Sequence, residues 1–204
     1  MSEVRVRFAP SPTGPLHIGG VRTALYNYLF SKKRGGKMIL RIEDTDQSRF
    51  VEGAEKYIIN SLKWCGIEFD ESVVKEGDYG PYKQSERKKI YLKYAEQLVR
   101  DGKAYYAFDS AEELIEMRER MKAAGVSSPQ YNSITRATMQ NSLSLSEDEV
   151  NKRMESGEPY VIRIKIPRNE EVKLNDIIRG WVVVNTNNID DKVLFKSDGM
   201  PTYH

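Results

Sequence analysis

Arg7-Phe8-Ala9-Pro10-Ser11-Pro12-Thr13-Gly14-Pro15-Leu16-His17-Ile18-Gly19-Gly20 is the stretch on which the reading of the chain turns. Leading into it, Val4, Val6 and Phe8 alternate with Arg5 and Arg7, the period of two of a strand with distinguishable faces. Beyond it, Val21, Ala24, Leu25, Tyr28 and Leu29 recur at helical spacing and predict one apolar stripe along a helix. The prolines and Gly14 keep the residues between out of regular structure. Gly19 and Gly20 stand where the helix opens, so no side chain blocks a ligand from its first backbone amides. Those amides have no partners inside the helix and carry the positive end of its dipole, which predicts an anion site with phosphate as its natural guest. His17 sits at the mouth, where an imidazole can either hydrogen-bond a phosphate or cap the turn. The three spaced glycines of a dinucleotide fingerprint and the Lys-Ser/Thr ending of a P-loop are both missing.

Further along, Lys32, Lys33 and Arg34 before Gly35-Gly36 form a basic helix end with a glycine stop. Met38 to Ile42 then reads as a second, buried strand, and strand–helix–strand order implies a parallel unit. Ligands of such sheets sit outside the carboxyl ends of the strands. Arg7 and Glu43 lie there and flank one crevice with opposite charges, an arrangement suited to an amino acid. Glu43, Asp44 and Asp46 also read, more plainly, as a polar loop with Asp capping the next helix. That helix carries Ala54, Ile58, Ser61, Leu62 and Cys65 on one face, which makes Cys65 an expected core thiol. A short strand is expected at Ile67 to Phe69 and a turn cluster at Gly77 to Tyr82. Lys83 to Arg87 open a helix with Tyr91, Tyr94, Ala95 and Leu98 inward, ending at Gly102.

From Lys103 the rhythm changes. An aromatic strand, Ala104 to Phe108, precedes the capping box Ser110–Glu113 and a helix ending at Gly125. Val126 to Leu145 shows no periodicity and reads as a long loop. Ser146–Glu149 opens another short helix, Tyr160 to Ile166 alternate as a strand, and further strands are expected at Trp181 to Val184 and Val193 to Phe195. The pattern predicts an α+β unit over 103–191, set between a first domain over 1–102 and a return into it over 192–204.

Composition bounds the function. The chain has 204 residues, 32 Lys+Arg against 30 Asp+Glu, and a net charge of +2, too small to argue for nucleic-acid binding on its own. No apolar run approaches the roughly 18 residues of a membrane span, and arginines interrupt the only apolar stretch near the amino terminus, unlike a signal peptide. The single cysteine excludes an internal disulfide and a multi-cysteine zinc site, and suits a reducing cytosol.

The segment Arg7 to Gly20 resembles the first signature of the class I aminoacyl-tRNA synthetases, His-Ile-Gly-His in its family form, in the version found in glutamyl-tRNA synthetases; Gly20 replaces the second histidine. Arg41-Ile42-Glu43-Asp44-Thr45-Asp46 and Gly80 to Arg87 resemble stretches of the same family. The resemblance implies an α/β fold: the first half of a Rossmann-like, parallel-sheet catalytic domain with an inserted α+β domain that binds the tRNA acceptor end. It implies that Arg7 pairs with a substrate carboxylate, that Glu43 holds the amino group, and that Ala9, Ser11 and Tyr203 line the same pocket. It assigns Pro10, Ser11, Thr13, His17, Gly19 and Gly20 to ATP, with the last three forming the catalytic turn, and Asp44, Thr45 and Asp46 to the neighbourhood of tRNA.

The implied activity is ATP-dependent ligation of L-glutamate to tRNA(Glu) through glutamyl-adenylate, with Mg²⁺ on the nucleotide, by a cytoplasmic monomer with no membrane attachment. Some relatives carry a zinc knuckle in the insertion, where this chain has Tyr105, Tyr106 and Phe108 and no cysteine, so no zinc is expected. Other members of the fold are alternatives. Glutaminyl enzymes usually read Pro-Glu-Pro-Asn at positions 10–13, and the relative that glutamylates a tRNA base usually carries the zinc cysteines. A non-catalytic RNA- or nucleotide-binding fragment is the third. Because the chain stops inside the motif Lys196 to His204, before a Lys-containing second signature, an amino-terminal fragment inactive by itself is expected.

Overall fold

The alternating residues ahead of the proline turn form β1 (Arg5–Phe8), and the apolar run after Gly36 forms β2 (Lys37–Leu40). The computed structural model describes residues 3–202, which divide after Lys89 into two units. In the first unit β1 and β2 pair in parallel, with Arg5 opposite Lys37 and Phe8 opposite Leu40. The crossover that a parallel pair needs is α1 (Ile18–Lys33). Gly36 makes the close return possible, because a Cβ there would stand 2.3 Å from the Val4 carbonyl oxygen.

The expected third strand at Ile67 to Phe69 is displaced. Leu40 N–H donates to the Glu71 carbonyl (3.0 Å) and Asp70 N–H to that of Met38 (2.8 Å), so Glu71 extends the parallel sheet as an isolated bridge. Phe8, Met38, Leu40 and Ile42 pack against Ala24 of α1 and against Ile58 and Leu62 of α2 (Ala54–Trp64), with Ile67 closing the cluster. Each such burial contributes about 1.5–3 kcal/mol.

Three apolar expectations are corrected. Leu25 and Leu29 are exposed, since only the narrower stripe of Val21, Ala24 and Tyr28 turns onto the two short strands. Cys65 is exposed rather than a core thiol, because α2 ends at Trp64 and Cys65 is the residue that caps it. Tyr94 is exposed as well.

In the second unit, α3 (Lys88–Arg100) sets Tyr91, Leu92, Ala95 and Leu98 against Ala104, Ile162 and Phe195. Those partners belong to an antiparallel sheet in the order β3 (Ala104–Ala107), β4 (Val161–Ile164), β7 (Val193–Phe195). The boundary expected after Gly102 therefore falls earlier, after Lys89, because the apolar face of α3 packs on this sheet. Residues 193–202 also stay here, with Thr202 N–H bonded to the Leu194 carbonyl (3.0 Å). Tyr105 and Ala107 pack with Met117 of α4 (Ala111–Ala123), Tyr131 and Met139. The reciprocal capping box of Ser110 and Glu113 opens α4, and Ser146 caps α5 (Glu147–Glu155). A hairpin of β5 (Glu171–Asp176) and β6 (Gly180–Asn185) stands as a separate two-stranded sheet. Among the described residues no helix is long and apolar enough to cross a membrane.

Glu71 ties the first unit together. Its buried carboxylate accepts from Arg5 Nη2 (2.7 Å) and from the Tyr82 hydroxyl, with Lys37 Nζ at 3.8 Å. The Arg5 hydrogen bond, helped by Tyr82 and Lys37 and opposed by burial, lowers its pKa from 4.5 to about 2. A depressed carboxylate pKa contributes stability that is complete above the unfolded value and is lost as pH falls through the folded one. Glu71→Gln should therefore lower the unfolding free energy by about 2 kcal/mol at pH 7. In urea titrations the gap between variant and parent should close as pH drops from 4.5 towards 2; a gap constant with pH would contradict the assignment.

Candidate active site at the carboxyl ends of the parallel strands

The site begins where β1 and β2 release the chain. Arg41 N–H donates to the Phe8 carbonyl (3.1 Å), Glu43 N–H to that of Pro10 (2.9 Å) and Val51 N–H to that of Pro12 (3.1 Å). These bonds pull the proline turn and the Arg41–Asp46 segment side by side, so Arg7 and Glu43 meet as their strand positions predict.

The two charges are not a tight pair. Arg7 Nη1 is 3.9 Å from Glu43 Oε1, beyond hydrogen-bond reach, and the Arg7 side chain is 44% exposed against 2% for Glu43. No described residue accepts a hydrogen bond from the Arg7 side chain. Arg7 lines a cavity of about 450 Å³ with Arg5, Arg41, Arg87, Tyr79 and Tyr82. The other arginines are committed: Arg5 to Glu71 (2.7 Å), Arg41 to Glu43 (2.9 Å), and Arg87 to the carbonyls of Tyr79 (3.1 Å) and Pro81 (2.8 Å). Among the described residues lining this cavity, Arg7 is thus the arginine whose side chain makes no hydrogen bond. Arg41 is the site residue that sequence reasoning left without a role, although its place two residues before Glu43 puts both side chains on one face of an extended segment, a usable signal.

A second cavity, of about 390 Å³, is lined by Phe8, Pro10, Ser11, Thr13, His17 and Gly20 among others. It gathers the residues expected to hold ATP, apart from Gly19. His17 is the N-cap of α1, and its Nδ1 accepts from Gly19 N–H at 3.1 Å. An accepting Nδ1 in a neutral imidazole puts the proton on Nε2, which then faces outward as a donor. The capping role and the phosphate role expected of His17 are therefore compatible, one on each ring nitrogen. The imidazole needs glycine beneath it, since a Cβ on Gly19 would stand 2.9 Å from His17 Cε1. Gly20 makes room for Leu16, whose Cδ1 would be 2.6 Å from an added Cβ.

The remaining candidates separate. Ala9 is half-buried and in the lining of neither cavity. Asp44 is buried and accepts from Ser85 N–H (2.8 Å), and Thr45 is buried too, so both shape the loop. Asp46 is part-exposed, accepting from Ser48 Oγ (2.7 Å) and Arg49 Nε (2.6 Å). Those bonds, Ser48 first, lower its pKa to about 2. Tyr203 lies outside the described residues. Among the described residues no group of three His, Cys, Asp or Glu side chains could hold a metal ion.

A parallel β–α–β unit, its helix opened by His-Ile-Gly-Gly and its strand ends carrying an arginine and a glutamate, is the arrangement expected of a class I aminoacyl-tRNA synthetase catalytic domain. The family model for tRNA synthetases class I (E and Q), catalytic domain, matches residues 3–204, and the chain belongs to that family. It is 67% identical, over 99% of its own length and 39% of the relative's, to a protein of Cytophaga hutchinsonii named glutamate–tRNA ligase. A glutamate–tRNA ligase of Amoebophilus asiaticus is 64% identical over 98% of the chain and 39% of that protein. Among solved structures, a glutamate tRNA ligase from Elizabethkingia meningosepticum in complex with its amino acid superposes with a TM-score of 0.93 at 57% identity. That match covers 100% of this chain and 40% of the other, so the chain spans about two fifths of the length of these relatives.

The His17 geometry can be read directly by nitrogen NMR of the neutral imidazole. The Nε2–H tautomer should dominate in the parent and lose its preference in Gly19→Ala, with His17→Ala assigning the signals. A dominant Nδ1–H form in the parent would contradict the cap.

Proposed function

We propose that the full-length protein carrying this chain ligates L-glutamate to tRNA(Glu). The observation that carries the reading is the uncommitted Arg7 beside the buried Glu43 at the mouth of the parallel strands, in a chain 57–67% identical to proteins named for that reaction. Arg7 takes the side-chain carboxylate of glutamate and Glu43 its ammonium. ATP lies over the turn from Pro10 to Gly20, where helix amides and the Nε2–H of His17 face its phosphates. The α-carboxylate of glutamate attacks the α-phosphate and pyrophosphate leaves, giving glutamyl-adenylate. The terminal adenosine of tRNA then takes the glutamyl group and AMP departs. The protein supplies position and charge stabilisation. Mg²⁺ bound with the nucleotide would supply charge screening of its phosphates.

The second unit is the acceptor-end insertion, and Asp46 is the tRNA-side residue of its segment. The reading includes no zinc, because residues 103–191 hold no cysteine; the buried Tyr105 hydroxyl there donates to Asp191 (2.6 Å), and Arg136 Nη1 donates to the same carboxylate (3.0 Å). The enzyme works as a cytoplasmic monomer, and residues 1–204 alone lack the activity.

Substitutions in the full-length protein test the charge assignment. Arg7→Met should cut the preference for glutamate over glutamine by about 10- to 100-fold, the worth of a hydrogen bond to a charged group. Glu43→Gln should weaken both amino acids about equally, because both carry the same ammonium. If both variants lose thermal stability while the preference for glutamate stays intact, Arg7 and Glu43 are a structural pair and the assignment falls.

A further inference from the structure

Glu43 is a carboxylate with a side chain only 2% exposed, and a desolvated charge of that kind persists only beside a counter-charge. Two arginines face it, and the geometry separates them. Arg41 Nε donates to Glu43 Oε1 at 2.9 Å from a side chain that is itself 18% exposed. Arg7 approaches the same oxygen only to 3.9 Å. Both contacts fall on Oε1, and no described residue hydrogen-bonds Oε2. One oxygen of the carboxylate is therefore spoken for, and the other has no hydrogen-bond partner among the described residues.

We infer that Arg41 is the positioning residue of the amino-acid site: it fixes the Glu43 carboxylate through Oε1, presents Oε2 to the substrate ammonium, and supplies the counter-charge that leaves Arg7 free. The backbone supports this placement. Arg41 N–H and Glu43 N–H are each bonded to the chain leaving β1, at 3.1 and 2.9 Å, so both residues are anchored at the backbone before their side chains meet. Without Arg41, Glu43 would recruit Arg7, the nearest remaining cation, and one substitution would disturb both ends of the pocket. Arg41 touches Glu43 and acts through it. The inference rests on the assignment of Glu43 to the ammonium.

The test measures KM and kcat for glutamate in the full-length protein with Arg41→Met, Arg41→Lys, Glu43→Gln and the double variant Arg41→Met/Glu43→Gln. Arg41→Met should raise KM about tenfold, the lower end of what a hydrogen bond to a charged group contributes, with kcat changed less than about threefold. Arg41→Lys, which keeps the charge but not the Nε geometry, should recover part of that loss. Arg41→Met strands a buried carboxylate and can fail to fold. The double variant strands none, so its KM against that of Glu43→Gln carries the test: adding Arg41→Met there should change KM less than about twofold. An equal effect of Arg41→Met in both backgrounds would overturn the inference, since Arg41 would then act independently of Glu43. If Glu43→Gln raises KM and Arg41→Lys leaves it at the parent value, the positioning role fails and the Glu43 assignment survives. If Glu43→Gln leaves KM unchanged, both fall together.

Discussion

The register of β1 on β2 is the constraint from which the rest of the first unit follows. Pairing Phe8 with Leu40 ends the two strands level, so the proline turn and the Arg41–Asp46 segment leave the sheet side by side, held by backbone hydrogen bonds from Arg41 and Glu43, with a third from Val51 farther along. Slipping β1 by one residue on β2 would turn Arg5 and Arg7 to the face that packs on α1 and α2 and expose Phe8. Burial of Phe8, Met38, Leu40 and Ile42 therefore fixes where the charges stand. The same alternation that builds the core on one face builds the arginine-lined cavity on the other.

That cavity divides its arginines by partner. Arg5 is spent on Glu71, Arg87 on two carbonyls and Arg41 on Glu43, which leaves Arg7 uncommitted. Four arginines in one place would repel one another and draw any anion; with three satisfied internally, the field is focused at one guanidinium. His17 follows the same economy, with one ring nitrogen closing the helix and the other available to a phosphate.

Much of this was legible in the sequence because it is local. Strand, turn and helix around His17, the parallel partner after Gly36 and the capping box at Ser110 are each specified by residues a few positions apart, and they occur where expected. What escaped depends on distant partners. Arg163 reads as the solvent side of an alternating strand, yet β4 is the central strand of its sheet, and its guanidinium lies 4.0 Å over the Tyr131 ring and donates to the Asp191 carbonyl. Leu25 and Leu29 have core-like periodicity but face no element of the first unit. The alternation of Val172 and Leu174 that marks β5 was available and went unread. Residues 126–145 lack periodicity because side chains rather than a ladder organise them: Asn141, fully buried, donates to the Arg136 and Met139 carbonyls and the Tyr131 hydroxyl.

The central proposal is that Arg7 and the neighbouring Glu43 bind glutamate for transfer to the 3′ end of tRNA. The most direct measurement is transfer of labelled amino acid to a tRNA pool by the full-length protein with ATP, comparing glutamate with glutamine and intact tRNA with tRNA trimmed of its terminal adenosine. Transfer of glutamate to intact tRNA alone is the predicted result. Transfer of glutamine, or transfer of glutamate that survives removal of the terminal adenosine, would contradict it.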